Sequence, residues 1–127
     1  MKQEIKTNQA PAALGPYSQG TRGKGEWLFV SGQTPLDPET MALVGEDAAT
    51  QAHQCVKNVL AILAAAEAGP EHVMRTTVYL KDMNDFAAVN AVYATYFPAP
   101  YPARACVQVC RLPKDALVEI DAIALLP

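Results

Sequence analysis

The chain has 127 residues, half of them hydrophobic and only 18% charged, which is enough for one domain with a real core. A charged share below the usual quarter or so leaves less polar surface and favours an oligomer. The net charge of −3 disfavours nucleic acid as a partner, since domains that bind it are usually basic; the first eight residues hold no apolar core of signal-peptide length, and the longest apolar run, Val59–Ala66, is too short for a membrane span.

The first thirteen residues give little signal beyond a short edge strand around Glu4–Lys6. Gly15-Pro-Tyr-Ser-Gln-Gly20 opens on a breaker pair and leads into a short polar strand. Gly23-Lys-Gly25 turns the chain into a clear strand, Trp27–Gly32, and the two strands read as a hairpin. Trp27, Phe29 and Ser31 share one face of it, Leu28 and Val30 the other. Gln33–Gly45, with two prolines, is a loop.

Asp47 is placed to cap a helix whose apolar positions Ala48, Ala52, Cys55, Val59, Ile62, Leu63 and Ala66 follow the helical period up to Gly69-Pro70. Gln51, His53, Gln54, Lys57 and Asn58 fall mostly on its wet side. Val73–Leu80 is rich in β-branched residues and reads as a strand. Asp82 or Asn84 caps a second helix, with Phe86, Val89, Asn90, Tyr93 and Phe97 on one stripe and Pro98 at its end. The segment Pro98–Pro102 stiffly connects it to a strand over Pro102–Val109, and Leu117–Ala124 is the last strand. Strands interspersed with two helices predict a single two-layer α+β domain over residues 1–127: a mixed sheet of about six strands with both helices on one face.

The last two strands carry the site candidates. In the first, Ala103, Ala105, Val107 and Val109 oppose Arg104, Cys106 and Gln108. In the second, Val118, Ile120, Ala122 and Ala124 oppose Glu119 and Asp121. If both apolar sides pack on one core, Arg104 and Glu119 emerge on the same side of the sheet. The plain alternative is a solvated face with surface ion pairs worth little. If the strands form a hairpin around Arg111–Ala116, Arg104 and Glu119 lie about 13 Å apart along the ladder. The two then share a small ligand only when they come from different chains, which predicts a site at a homo-oligomer interface.

Arg104 offers a planar fork that matches a carboxylate, and Glu119 can accept a proton or orient a water. Tyr17, at a strand start, can reach such a site or simply pack with its tip wet. Ser31-Gly32 ends the strongest strand, and Gly32 lets a ligand approach the backbone or merely ends the strand. Cys106 shares Arg104's face but has no histidine base in strand context, so it reads as structural rather than nucleophilic. Cys55, Cys106 and Cys110 make an odd set without paired spacing, which predicts reduced thiols and a cytoplasmic setting. His53 and His72 are far apart, and there is no metal signature and no phosphate loop.

Gly15-Pro-Tyr-Ser-Gln, Val30-Ser-Gly-Gln-Thr-Pro, Thr76-Thr-Val-Tyr-Leu-Lys-Asp-Met-Asn-Asp-Phe86, Pro102-Ala-Arg-Ala-Cys-Val and the tail Leu112–Ala124 together resemble the Rid (YjgF) family of reactive enamine/imine deaminases. The likeness runs from about Ala10 to Ala124. It departs from the family at Ala66-Glu-Ala-Gly-Pro70, which replaces a short glycine-containing turn. The resemblance implies a chorismate-mutase-like fold, a homotrimer with clefts between subunits, and hydrolysis of 2-enamine/2-imine acids such as 2-aminoacrylate to 2-keto acids and ammonia.

By the same resemblance, Arg104 clamps the substrate carboxylate and Glu119 holds the attacking water. Tyr17, Ser31, Gly32, Asn90 and Cys106 match cleft-lining positions. Backbone N–H groups near Ala105 or Gly32 are expected to help bind the acid. The expected partner is a small imine or keto acid; no cofactor, metal or membrane is called for. The rival expectations are a regulatory trimer that binds small carboxylates without turnover, and an endoribonuclease.

Overall fold

The computed structural model describes residues 1–127. Its strands and helices follow as β1 (Gln3–Ile5), β2 (Gly20–Arg22), β3 (Trp27–Gln33), α1 (Ala48–Ala65), β4 (Val73–Leu80), α2 (Phe86–Tyr96), β5 (Ala103–Gln108) and β6 (Val118–Leu125). Four strands form one mixed sheet in the order β3-β6-β4-β5, and β1 and β2 form a separate ribbon. The expected sheet of about six strands is therefore a four-stranded sheet plus a two-stranded one.

The expected hairpin between the second and third strands does not form. β2 pairs with β1, and β3 pairs antiparallel with β6. The reason is apolar: β2 is Gly-Thr-Arg and offers β3 nothing to bury, whereas Leu28 and Val30 meet Ala124 and Ala122 across β6.

α1 starts where Asp47 accepts a hydrogen bond from the Thr50 N–H at 2.7 Å. Val56, Val59 and Leu63 are fully buried against the sheet. Each is worth about 1.5–3 kcal/mol relative to exposure, so packing rather than intrinsic helicity holds the helix. Two residues expected on its wet side turn inward. Gln51 is buried, donates to the Gly45 carbonyl and accepts from the Leu117 N–H. Asn58 donates to the carbonyls of Thr34 and Leu36 and so pins the loop after β3. Amphipathic periodicity does not foresee either, because loop carbonyls supply the partners.

α2 is preceded by a short 3-10 turn, Met83–Asp85, capped by Asp82, which accepts from the Asn84 N–H. Val89, Val92 and Tyr93 of α2 join α1 in one hydrophobic cluster over the sheet. No helix is long and apolar enough to cross a membrane.

Register decides which way each strand faces. Thr76, Val78 and Leu80 of β4 are buried under the helices. They pair with Arg104, Cys106 and Gln108 in the parallel ladder to β5, and with Ala122, Ile120 and Val118 in the antiparallel ladder to β6. Directly paired residues share a face. Arg104 and Cys106 therefore point to the helix side, whereas Glu119, opposite Tyr79, and Asp121, opposite Thr77, point to the open side.

This overturns the expectation that Arg104 and Glu119 emerge together. The alternation in β5 is ambiguous, with two alanines and a valine against an arginine and a cysteine, and the ladder with β4 settles it. Val107, expected in the core, is 42% exposed. Nor do Arg111–Ala116 join neighbouring strands in a hairpin, since β4 lies between β5 and β6.

Candidate active site

The candidate residues divide into two groups on opposite faces of the sheet, one at the β5 edge and one where β3 meets β6. The first surrounds Arg104, at the β5 edge on the helix side. Its Nη1 donates to Asn90 Oδ1 at 2.6 Å. Its guanidinium carbon lies 4.9 Å from the ring centre of Tyr93, 5.2 Å from Tyr17 and 5.7 Å from Phe86. Each of these ring faces attracts the cation.

Tyr17 is turned by the Gly15-Pro16 pair so that its ring, not its tip, meets the arginine; its hydroxyl accepts from the Leu14 N–H at 3.1 Å. Tyr93 is anchored by a 2.7 Å bond to the Thr76 hydroxyl, and burial pushes its phenol pKa up to about 12, so it stays neutral beside the cation. No carboxylate of this chain lies within ion-pair distance of Arg104; the ion pair an arginine does make is Arg111–Asp115. A half-buried guanidinium, held by one amide and three rings, keeps donors free for a bidentate acid.

Cys106 lies beside Arg104 on the same face. Burial pushes its thiol up, against the pull of the Arg104 charge, so it remains a thiol rather than a nucleophilic thiolate. Its backbone matters more than its sulfur. The Val109 N–H donates to the Leu80 carbonyl, and along a parallel strand successive residues bond alternately to either side. The Ala105 N–H therefore turns into the ladder with β4, and the Cys106 N–H turns out to the free edge. Ala105 drops out of the expected set: its methyl is on the open face and its N–H points into the sheet.

The second group surrounds Glu119, on the open face. Between Val30↔Ala122 and Gln33↔Ile120 the β3–β6 ladder breaks, leaving Ser31 and Gly32 opposite the single residue Asp121. This bulge, with its missing side chain at Gly32, makes room for the glutamate. A Cβ at Gly32 would collide with Glu119 Oε2 and stand 3.0 Å from its Cδ. Burial first, and the nearby Asp121 charge second, push the Glu119 carboxyl above its ordinary value.

Tyr17, Asn90 and Cys106 are thus brought to Arg104, and Gly32 to Glu119 with Ser31 beside it in the bulge, but the two groups do not meet within one chain. Arg104 and Glu119 pair with Thr76 and Tyr79, three residues or about 10 Å apart along β4, and flank that strand on either side. Phe86 and Tyr93 were not expected as walls of the arginine pocket. Their spacing with Asn90 on one helical stripe was visible, but nothing in it showed that Arg104 would face that stripe. The histidines serve the scaffold: His53 Nδ1 bonds the Tyr96 hydroxyl, and His72 Nδ1 accepts from the Gly69 N–H. No three His, Cys, Asp or Glu side chains converge as a metal site would need.

Two helices on one face of a mixed four-stranded sheet, with a two-stranded ribbon beside it, are the α+β arrangement of YjgF-type proteins. The family model described as Endoribonuclease L-PSP matches residues 7–126. A RutC family protein of Synechocystis is 56% identical over 125 residues, covering 97% of this chain and 95% of that protein. The 2-iminobutanoate/2-iminopropanoate deaminase of Salmonella typhimurium is 50% identical over 127 residues, covering 98% of each. Among solved structures, E. coli TdcF with bound serine superposes with a TM-score of 0.76 at 43% identity, over 98% of this chain and 99% of the other. The chain belongs to this family, the YjgF/RutC/Rid family.

Proposed function

We propose that this protein hydrolyses reactive 2-enamine and 2-imine acids, such as 2-aminoacrylate, to 2-keto acids and ammonia. The observation that carries the reading is the Arg104 guanidinium: half-buried, caged by aromatic rings and without a carboxylate partner. A serine-bound relative and deaminases about half identical over nearly the whole chain support a small acid as its partner.

The complete site forms between copies, with the Arg104 group of one and the Glu119 group of the next, in a homotrimer of chorismate-mutase-like arrangement. The open sheet face favours such burial: Phe29 is 72% exposed there, and Trp27 and Val107 about two-fifths. In this site Arg104 grips the carboxylate with its fork, and the outward Cys106 N–H adds a donor. Glu119 of the neighbour takes a proton from water as the oxygen attacks C2 of the imine. Glu119 returns that proton to nitrogen, and as the C–N bond breaks and ammonia leaves, the carbinolamine hydroxyl gives its own proton back to Glu119 and becomes the carbonyl of the keto acid. Each step is an addition, a proton transfer or the loss of ammonia, so the reading calls for no cofactor and no metal. The substrate is a product of enamine-releasing enzymes, and the reading places the protein with them in the cytoplasm.

The test generates 2-aminoacrylate with a serine dehydratase and follows its decay. Acceleration by this protein supports the reading. A keto acid that binds without any acceleration would favour a non-catalytic regulatory trimer instead. Ribonuclease activity, which the family description names, has weaker support: the chain is acidic and both histidines are held in scaffold bonds.

Gly32→Ala tests the second group by itself. The added methyl drives the Glu119 carboxylate off the bulge while leaving the arginine pocket untouched. kcat is expected to fall about tenfold with little change in KM, the pattern of a lost interaction made in the transition state. An unchanged kcat would remove Glu119's placement from the mechanism.

A further inference from the structure

The open face holds a carboxylate that the mechanism above does not use. Asp121 lies two residues beyond Glu119 on the same side of β6, so their Cα atoms are about 7 Å apart. Its side chain is locked: Oδ2 accepts from the Tyr79 hydroxyl at 2.9 Å, and Oδ1 from the Thr77 N–H at 3.1 Å. Both bonds fix where the carboxylate sits. Asp121 in turn holds the Tyr79 proton in place, raising that phenol above its ordinary value.

Within one chain no cation pairs with Asp121; in the assembled site the facing cation is Arg104 of the neighbouring copy, whose fork the substrate carboxylate occupies. On the same side of β4, Arg75 makes no ion pair, and Lys81, just past the strand, donates instead to the Cys110 carbonyl at 2.7 Å. The other groups around Glu119 are the Tyr79 phenol across the ladder and, behind the sheet, the Cys55 thiol, which burial pushes up to about 12 and so keeps neutral. β3 contributes only Ser31 and Gly32, and β5 only Ala105 and Val107.

We propose that Asp121 is a positioning residue: its carboxylate, locked by Tyr79 and Thr77, keeps a fixed negative charge beside Glu119 and so makes Glu119 a better proton acceptor toward the attacking water. The proposal rests on the reading of Glu119 as the water-holding carboxylate. The sign follows from like charges. A fixed anion disfavours the ionised neighbour, so Glu119 takes up a proton at higher pH than it would alone. A base closer to the working pH removes a proton from water more effectively. Tyr79 and Thr77 matter because a mobile carboxylate would swing into solvent, where its field is screened.

Asp121→Asn removes the charge and keeps the shape. Carboxyl carbon resonances of Glu119, followed by NMR, are expected to titrate about half a pH unit lower in this variant than in the wild type. The acid limb of the pH–rate profile moves down by the same amount, and the plateau rate falls about twofold, with KM unchanged. Tyr79→Phe, which frees the carboxylate without removing it, gives a smaller shift in the same direction and serves as the second variant if Asp121→Asn loses its folded spectrum.

Glu119 titrating at the same pH in wild type and variants, in a protein that still accelerates imine decay, overturns the role of Asp121 and leaves the deaminase reading standing. A wild type that accelerates nothing overturns the deaminase reading, and this role with it.

Discussion

Arg104→Ala lowers kcat/KM for 2-aminoacrylate by about 10²–10³-fold while the protein stays folded. Truncating one partner of a desolvated, hydrogen-bonded charge pair costs about 2–5 kcal/mol, and each 1.4 kcal/mol or so is a factor of ten. The magnitude belongs near the middle of that range because Arg104 is half-buried and its carboxylate partner arrives with the substrate. The fold is spared for a structural reason. β5 is an edge strand, and the ring nearest the guanidinium, Tyr93, is anchored independently by Thr76. The melting temperature is expected to move by only a few degrees. Arg104→Lys keeps a charge but loses the fork and the stacking plane, so it recovers no more than about a tenth of the rate. Full acceleration by Arg104→Ala would detach the proposed activity from the feature that carries it.

The second large effect concerns Glu119, and the way the two groups lie apart turns it into a test of assembly. Glu119→Gln is isosteric and removes the proton acceptor. Its rate is expected to fall about 10²–10⁴-fold, the usual contribution of a positioned acid or base. Arg104 and Glu119 sit on opposite faces of one sheet, so two defective variants supply complementary halves. Arg104→Ala and Glu119→Gln chains, denatured together and refolded as a mixture, should regain about a quarter of the wild-type activity, the share of head-to-tail sites in a random ring that receive an intact arginine from one copy and an intact glutamate from the other. Refolded separately, neither recovers. A mixture as inactive as its components would mean that the two groups do not meet between chains, and the proposed cleft would go with it.

Much of this was legible before any coordinates. The period of α1, the capping Asp47, the stripe on α2 and the β-branched run of β4 are local properties of consecutive residues, and the structure repeats them. Arg104 and Glu119 stand out as a cation and a carboxylate on alternating strands. The family resemblance, carried by short motifs in the right order, is borne out by the family match.

Other features depend on contacts far apart in the chain. The inward turn of Gln51 and Asn58 is not written in their own helix, since nothing local reveals a loop carbonyl waiting across the gap. Ala105 was expected at the site because hydrogen-bond parity along an edge strand depends on which neighbour it joins. The face of Arg104 is not local information, because a strand of small residues against an arginine and a cysteine has no decisive apolar side.

The order of amino acids by itself therefore determined which segments are helices and strands, where α1 starts, and which residues carry unusual chemistry; α2 starts at Phe86, after the 3-10 turn that Asp82 caps. These follow from torsional preference and spacing within a few residues. Only the tertiary structure decided the pairing of β5 with β4, and through it that the arginine lies under α2 while the glutamate lies over a bulge on the far side. That choice is made by burial across the whole sheet: Val78, Leu80 and Ile120 must sit beneath the helices, and once they do, the pleat leaves Arg104 and Glu119 no common face.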